Sequence, residues 1–138
     1  MTVTDLRGQL IRDEGVRLKL YMDSLGVPTI GVGRNLRDRG ISLSEADALL
    51  DNDIREALTL AERLPWVLDL DEARRGVLYN MAFNLGVQGV LGFTKTLALI
   101  HDRRYAEAAA EMLRSDWAKQ VVARAERLSL QMESGQWR

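Results

Sequence analysis

The stretch from Glu14 to Gly33, EGVRLKLYMDSLGVPTIGVG, sets a hairpin pattern into a chain that is otherwise helix-periodic. Arg17 to Met22 alternates, with Leu18, Leu20 and Met22 on one face of a predicted strand. Asp23-Ser24-Leu25-Gly26 places Asp first and Gly last in a four-residue turn. Residues 27–32, VPTIGV, return as a second strand. Pro28 has no N–H for a ladder and therefore belongs to an edge or to a strand's first residue. Gly31 and Gly33 leave the backbone bare for a ligand or a neighbouring strand. Before the hairpin, Val3, Leu6, Leu10 and Ile11 recur at helical spacing over 3–13, with Thr2 or Thr4 as N-cap and Gly15 just past the end. Glu14 then falls at the negative end of the helix dipole, which works against a charged carboxylate there, the direction a general acid needs. Glu14, Asp23 and Thr29 thus bring two carboxylates and a hydroxyl onto separate pieces of nearby backbone. That set suggests acid/base hydrolysis.

The rest reads as helix. Residues 34–41 are polar and end in a turn. Ser42-Leu43-Ser44-Glu45 is a capping-box pattern. It opens a long helix over about 42–64, with Leu43, Ala46, Leu50, Ile54, Leu58 and Ala61 on one stripe, ending at Leu64-Pro65. Such a helix is roughly 30 Å long at about 1.5 Å per residue. A buried helix follows from Asp71, with Val77, Leu78, Met81, Ala82 and Leu85 inward and Gly86 at its end. Further helices are expected over 93–100, 105–113 and 121–134, the last presenting Val122, Ala125, Leu128 and Met132 to one side, with a turn at Asp116-Trp117 leading into it. The expected class is α+β, mostly helical.

Composition narrows the function. The 138 residues, 46% apolar, suit one domain, and there is no internal repeat. A net charge of −1 disfavours nucleic acid as a partner. With no cysteine, disulfides and thiolate-bound metals are excluded. The one histidine, His101, rules out a His-rich metal site and argues against a Ser-His-Asp triad. It is expected at a surface helix end without chemistry. No metal or cofactor is expected. Trp66, Trp117 and Trp137 are expected to pack rather than to form sugar platforms. The first residues carry charges throughout and no apolar run, and no stretch reaches the roughly 20 apolar residues of a span. The expectation is synthesis in the cytoplasm without a signal peptide and no stable membrane insertion. There is no strong sign of oligomerisation, so a monomer is expected.

The segment LIRDEGVRLKLYMDSLGVPTIGVG resembles the hallmark of the T-even phage lysozyme family of endolysins, with glutamate, aspartate and threonine at the same mutual spacings. NMAFNLGVQGVLGFTKTL resembles that family's far cleft wall, and SDWAKQVVARAERL with SGQW its C-terminal helices. The resemblance implies a lysozyme-like fold over residues 1–138: a small β-hairpin or sheet lobe over about 12–41, a connecting helix over about 42–64, and a helical lobe over about 65–138 joined by the N-terminal helix 3–13. It implies an N-acetylmuramidase that cleaves the β-1,4 bond between N-acetylmuramic acid and N-acetylglucosamine in peptidoglycan glycan strands, with inversion, for host cell lysis. Glu14 is implied as the general acid, Asp23 as the residue that orients or activates water, and Thr29 as the hydroxyl that holds it. Phe83, Asn84 and Thr96 are implied as substrate contacts, and Arg124 as a supporting partner of the glutamate that opposes the helix-end effect. A holin is the family-level expectation for release to the periplasm.

Departures from the family accompany the match, among them a pI of about 5.9, unlike that of the family's basic members. Arg34 stands where the best-known member has histidine, the segment after Gly33 is shorter, and Glu111 replaces a neutral amide. Two other functions fit the fold. A lytic transglycosylase would need one acid/base glutamate and no residues to hold a water. A non-catalytic wall-binding module would need none of the three.

Overall fold

Two compact units, residues 1–48 and 49–138, make up the computed structural model, which describes residues 1–138. In the first, helix α1 (Val3–Glu14) starts from a reciprocal cap: the Asp5 N–H donates to Thr2 Oγ1 at 3.0 Å and the Thr2 N–H to Asp5 Oδ2 at 3.2 Å. The helix stops at Gly15, whose φ of 74° glycine alone adopts without steric cost and whose N–H donates to the Ile11 carbonyl. Strands β1 (Arg17–Met22), β2 (Pro28–Gly31) and β3 (Arg34–Asn35) form an antiparallel sheet in the order β1-β2-β3. The hairpin register sets Tyr21 opposite Thr29 and Met22 opposite Pro28. Pro28 is the first residue of β2, one of the two positions its missing N–H allows. The Gly26 N–H closes the turn on the Asp23 carbonyl at 3.0 Å.

Strand β3 was not expected. It is two polar residues long, too short to carry an alternation, and it forms because Asn35 pairs with Thr29 and Arg34 with Ile30. Arg34 also fastens the polar segment that follows: its guanidinium donates to Glu45 Oε1 at 2.8 Å and to the Gly40 carbonyl at 3.2 Å. Glu45 closes the predicted capping box of α2 (Leu43–Leu58), accepting from the Ser42 N–H while its own N–H donates to Ser42 Oγ. These donors, Arg34 first and Ser42 second, hold the Glu45 carboxyl at about 2 against an ordinary 4.5.

The unit boundary falls within α2. The helix expected to run unbroken to Leu64 is interrupted at Thr59. There the hydroxyl and the N–H both turn back to the Glu56 carbonyl, and α3 (Leu60–Arg63) follows as a separate short helix. Of this stretch only Ala57 and Leu60 are buried, while Leu43, Leu50, Ile54 and Leu58 of the predicted stripe remain exposed. A 3₁₀ turn (Pro65–Asp69) leads into α4 (Glu72–Leu91), capped by Asp71, which accepts from the Arg74 N–H. Gly86 breaks α4 at φ 79°, where the helix was expected to end, and a further helical segment continues to Leu91. Helices α5 (Thr94–His101), α6 (Tyr105–Leu113), α7 (Asp116–Gln120) and α8 (Val122–Ser134) complete the chain. Helix α7 replaces the expected turn because Ser115 caps it, accepting from the Ala118 N–H.

Val77, Leu78 and Met81 of α4, Ile100, Met112 and Met132 form a fully buried core, with α6 packed on α8 and α8 on α4. Val122, expected inward, is exposed, and Val121 at the N-cap packs on the core instead. Trp117 is in the core and Trp66 packs on it. Trp137 stays largely exposed, yet its indole covers Gly76 so closely that a Cβ there would meet it at 2.4 Å. His101 ends α5 on the surface, edge-on to Trp66. Arg74 ties the C-terminus of α8 to α4, donating from Nε to the Met132 carbonyl at 2.6 Å and from Nη2 to Glu133 at 2.8 Å. No single helix is long and apolar enough to cross a membrane.

Candidate active site

Glu14, Asp23 and Thr29 all lie in the first unit, and the hairpin positions each of them. Glu14 is the last residue of α1, and its side chain lies against the bare backbone of Gly33. A Cβ at Gly33 would stand 2.7 Å from Glu14 Oε2 and 2.8 Å from its carboxyl carbon. The glycine, at φ 63°, thereby makes room for the carboxylate as well as for the turn between β2 and β3.

Asp23 starts the turn between β1 and β2. Its Oδ1 accepts from the N–H groups of Leu25, at 2.8 Å, and Val27, at 2.9 Å. Two backbone bonds on one oxygen fix the carboxylate's rotation and leave Oδ2 without a protein partner. Thr29 is buried in the central strand, and its hydroxyl donates to the Val27 carbonyl at 2.8 Å. With its one proton committed, Oγ1 presents only acceptor lone pairs to anything else. Val27 therefore organises both groups, through its N–H to Asp23 and its carbonyl to Thr29. From Thr29 to Gly33 the chain covers at most about 13 Å at ~3.3 Å per residue. The Glu14 carboxylate thus lies at one end of this stretch and Thr29 at the other, with Asp23 held beyond Thr29 at Val27.

The candidate substrate residues belong to the second unit and fall into two groups. Phe83, half exposed on α4, and Arg124 of α8 line one open depression together with Leu50, Ile54 and Trp137. Asn84 accepts at Oδ1 from the indole Nε1–H of Trp117 at 2.7 Å, which turns its amide NH₂ outward as a donor. Thr96, only 3% exposed, lines a cavity of about 590 Å³ that also holds Trp117, Phe93, Lys95 and Glu111. Burial pushes the Glu111 carboxyl up, but Arg114 at 2.9 Å and Lys95 at 3.4 Å outweigh it and hold it below its ordinary range. Sequence reasoning missed Gly33 as the seat of Glu14 and Trp117 as the clamp on Asn84. The first was signalled by the GVG run. The second had no local signal, since the two residues are far apart in the chain.

A small antiparallel sheet beside α1 and a separate helical unit define a lysozyme-like α+β protein. Comparison with known proteins agrees: the phage lysozyme family profile matches residues 12–129. The chain is 31% identical over 163 aligned residues to "Probable T4-type lysozyme 1" of Dictyostelium discoideum, covering 96% of each chain. It is 33% identical over 114 residues to the "Endolysin" of Salmonella phage P22, covering 76% of each. It is also 29% identical over 155 residues to the "Pre-baseplate central spike protein Gp5" of Enterobacteria phage T4, covering 91% of this chain and 27% of that one. The chain belongs to the phage lysozyme family, and with it to the peptidoglycan-hydrolysing glycosidases.

Proposed function

We propose that the protein hydrolyses the β-1,4 bond between N-acetylmuramic acid and N-acetylglucosamine with inversion, with Glu14 as general acid. Asp23 and Thr29 hold the attacking water. The observation that carries this reading is the bonding around Val27. Asp23 has one oxygen fixed by two backbone donors and one free, and Thr29 has its proton already given away. A water that donates one proton to Asp23 and the other to Thr29 keeps a lone pair for the anomeric carbon. As that bond forms, Asp23 takes a proton from the water while Glu14 delivers one to the leaving oxygen. Inversion requires the two carboxyl groups to stand apart, by roughly 6.5–9.5 Å, so that a water fits between sugar and base. Glu14 seated against Gly33 and Asp23 held at Val27, on the far side of Thr29, suit that requirement. Phe83 and the outward amide of Asn84 offer an apolar surface and a donor for sugar rings. Thr96 offers a hydroxyl, and Arg124 supports the site.

In this reading the enzyme acts alone and without a cofactor. It serves host cell lysis and reaches the wall from the cytoplasm through a holin. A lytic transglycosylase has no use for a water-holding pair, and a binding module has no use for a seated glutamate.

The test is clearing of outer-membrane-permeabilised Gram-negative cells by wild type and Glu14→Gln. The substitution keeps the shape and removes the proton that the leaving group needs. Clearing by the wild type alone supports the assignment; equal clearing by both overturns it.

A further inference from the structure

The helical unit carries a second cavity, of about 420 Å³, that contains none of the residues assigned to hydrolysis. Three segments converge on it. The 3₁₀ turn brings Trp66 and Asp69, the end of α5 brings His101 and then Arg103, and the start of α6 brings Tyr105, over a floor of Leu70 and Ile100. The rings of Trp66 and His101 meet edge to face, with centroids 5.2 Å apart. Tyr105 has one face covered by the Arg74 guanidinium at 3.7 Å, and Asp71 is held by the same guanidinium at 3.1 Å. Those two side chains are therefore anchored by the scaffold. Arg103 is fixed at φ 62° by the turn in which its N–H donates to the Ile100 carbonyl. The Trp66 indole N–H, the Asp69 carboxylate and the Arg103 guanidinium make no bond within the protein and meet solvent at the rim.

The chemistry of this lining selects a class of ligand. Asp71 is neutralised by Arg74, which leaves Asp69 to oppose an anion and Arg103 to oppose a cation. The unpaired polar groups oppose a purely apolar molecule, because they would lose water without compensation. A neutral ring with apolar C–H faces and hydroxyl or amide edges meets all three conditions, its faces on the aromatic rings and its edges shared between an acceptor and a donor. The volume lies within the range of small-ligand sites.

We propose that this cavity is a saccharide-binding site, distinct from the hydrolytic residues, that takes an N-acetylhexosamine ring of a glycan strand and keeps the enzyme on its polymer. The identity of the sugar rests on the function proposed above; the saccharide chemistry does not.

The test uses the full chain carrying Glu14→Gln, labelled with ¹⁵N and titrated with an N-acetylglucosamine tetramer. The three tryptophan indole N–H signals report on separate parts of the molecule. The expected result is a saturable shift of the Trp66 signal, weakened roughly tenfold in affinity by Asp69→Asn or by Arg103→Gln, with the Trp117 signal unaffected by either substitution. Both substitutions are at exposed positions and spare the core. Two results overturn the proposal: a Trp66 signal that stays put up to the solubility limit of the tetramer, or a shift that both variants leave unchanged. Wall clearing by the otherwise wild-type enzyme, scored separately, tells failure of the hydrolase reading from failure of this one.

Discussion

Replacing Gly33 by alanine tests whether the seat of Glu14 matters to catalysis. Two effects act at once. The backbone sits at φ 63°, where an L side chain costs about 1 to 2 kcal/mol. The new Cβ also falls 2.7 Å from Glu14 Oε2, 2.8 Å from Cδ and 3.2 Å from Cγ, whereas ordinary contacts begin at 3.4 Å. The carboxylate must therefore retreat by 0.7 Å or more (3.4 less 2.7). Because the obstacle is the far end of a flexible side chain, the retreat adds little to the loss of stability. A displacement near 1 Å of a catalytic group can nevertheless lower turnover by up to about 100-fold. Gly31 supplies the control: it has nearly the same backbone, at φ 67°, but its Cβ would meet nothing within 4 Å. Both variants should lose similar stability in chemical denaturation. Gly33→Ala should turn over soluble glycan fragments roughly 10- to 100-fold more slowly than Gly31→Ala. Equal rates for the two variants would refute the claim that Gly33 positions the reactive carboxylate.

Three further outcomes follow from the same geometry. Thr29→Val keeps the shape and removes the hydroxyl, so kcat should fall about 100-fold against a stability loss of about 1 kcal/mol, while Thr29→Ser keeps most of the activity; steady-state kinetics and urea melts check both. The Glu45 carboxyl is held at about 2 in the folded chain against an ordinary 4.5, so its stabilising effect is complete above about 4.5 and is lost as the pH falls towards 2. The Tm gap between wild type and Glu45→Gln should therefore be widest near neutral pH and close in acid, as calorimetry across that window would show. Gly76→Ala drives a Cβ into the Trp137 indole and should cost about 1 to 3 kcal/mol, and adding Trp137→Ala should recover part of it rather than sum, which a double-mutant cycle measures.

The elements that could be read in advance are those whose signals are local. Strand β1 and helix α6 have the predicted limits, and Thr2, Gly15, Ser42, Glu45 and Gly86 cap or break helices where their side chains, or lack of one, dictate. Position on the backbone was equally readable for the site: Glu14 at a helix end, Asp23 in a turn, Thr29 in a strand. What escaped depends on partners distant in the chain or on competition within one turn. Strand β3 exists only through its pairing with β2. Thr59 is an ordinary helical residue until its hydroxyl claims the Glu56 carbonyl. The sharing of Val27 between Asp23 and Thr29 is a matter of register, and the hold of Trp117 on Asn84 is one of packing.

The most direct test of the mechanism is the configuration and end group of the sugar released in the first turnovers, followed by proton NMR and by mass in ¹⁸O-labelled water. A water held by Asp23 and Thr29 on the face opposite Glu14 predicts an α-configured reducing end carrying one ¹⁸O, which then mutarotates. A β-configured first product would mean retention through a covalent or substrate-assisted intermediate. A 1,6-anhydro end with no ¹⁸O would mean that no water attacks at all, and either result would contradict the roles given to Asp23 and Thr29.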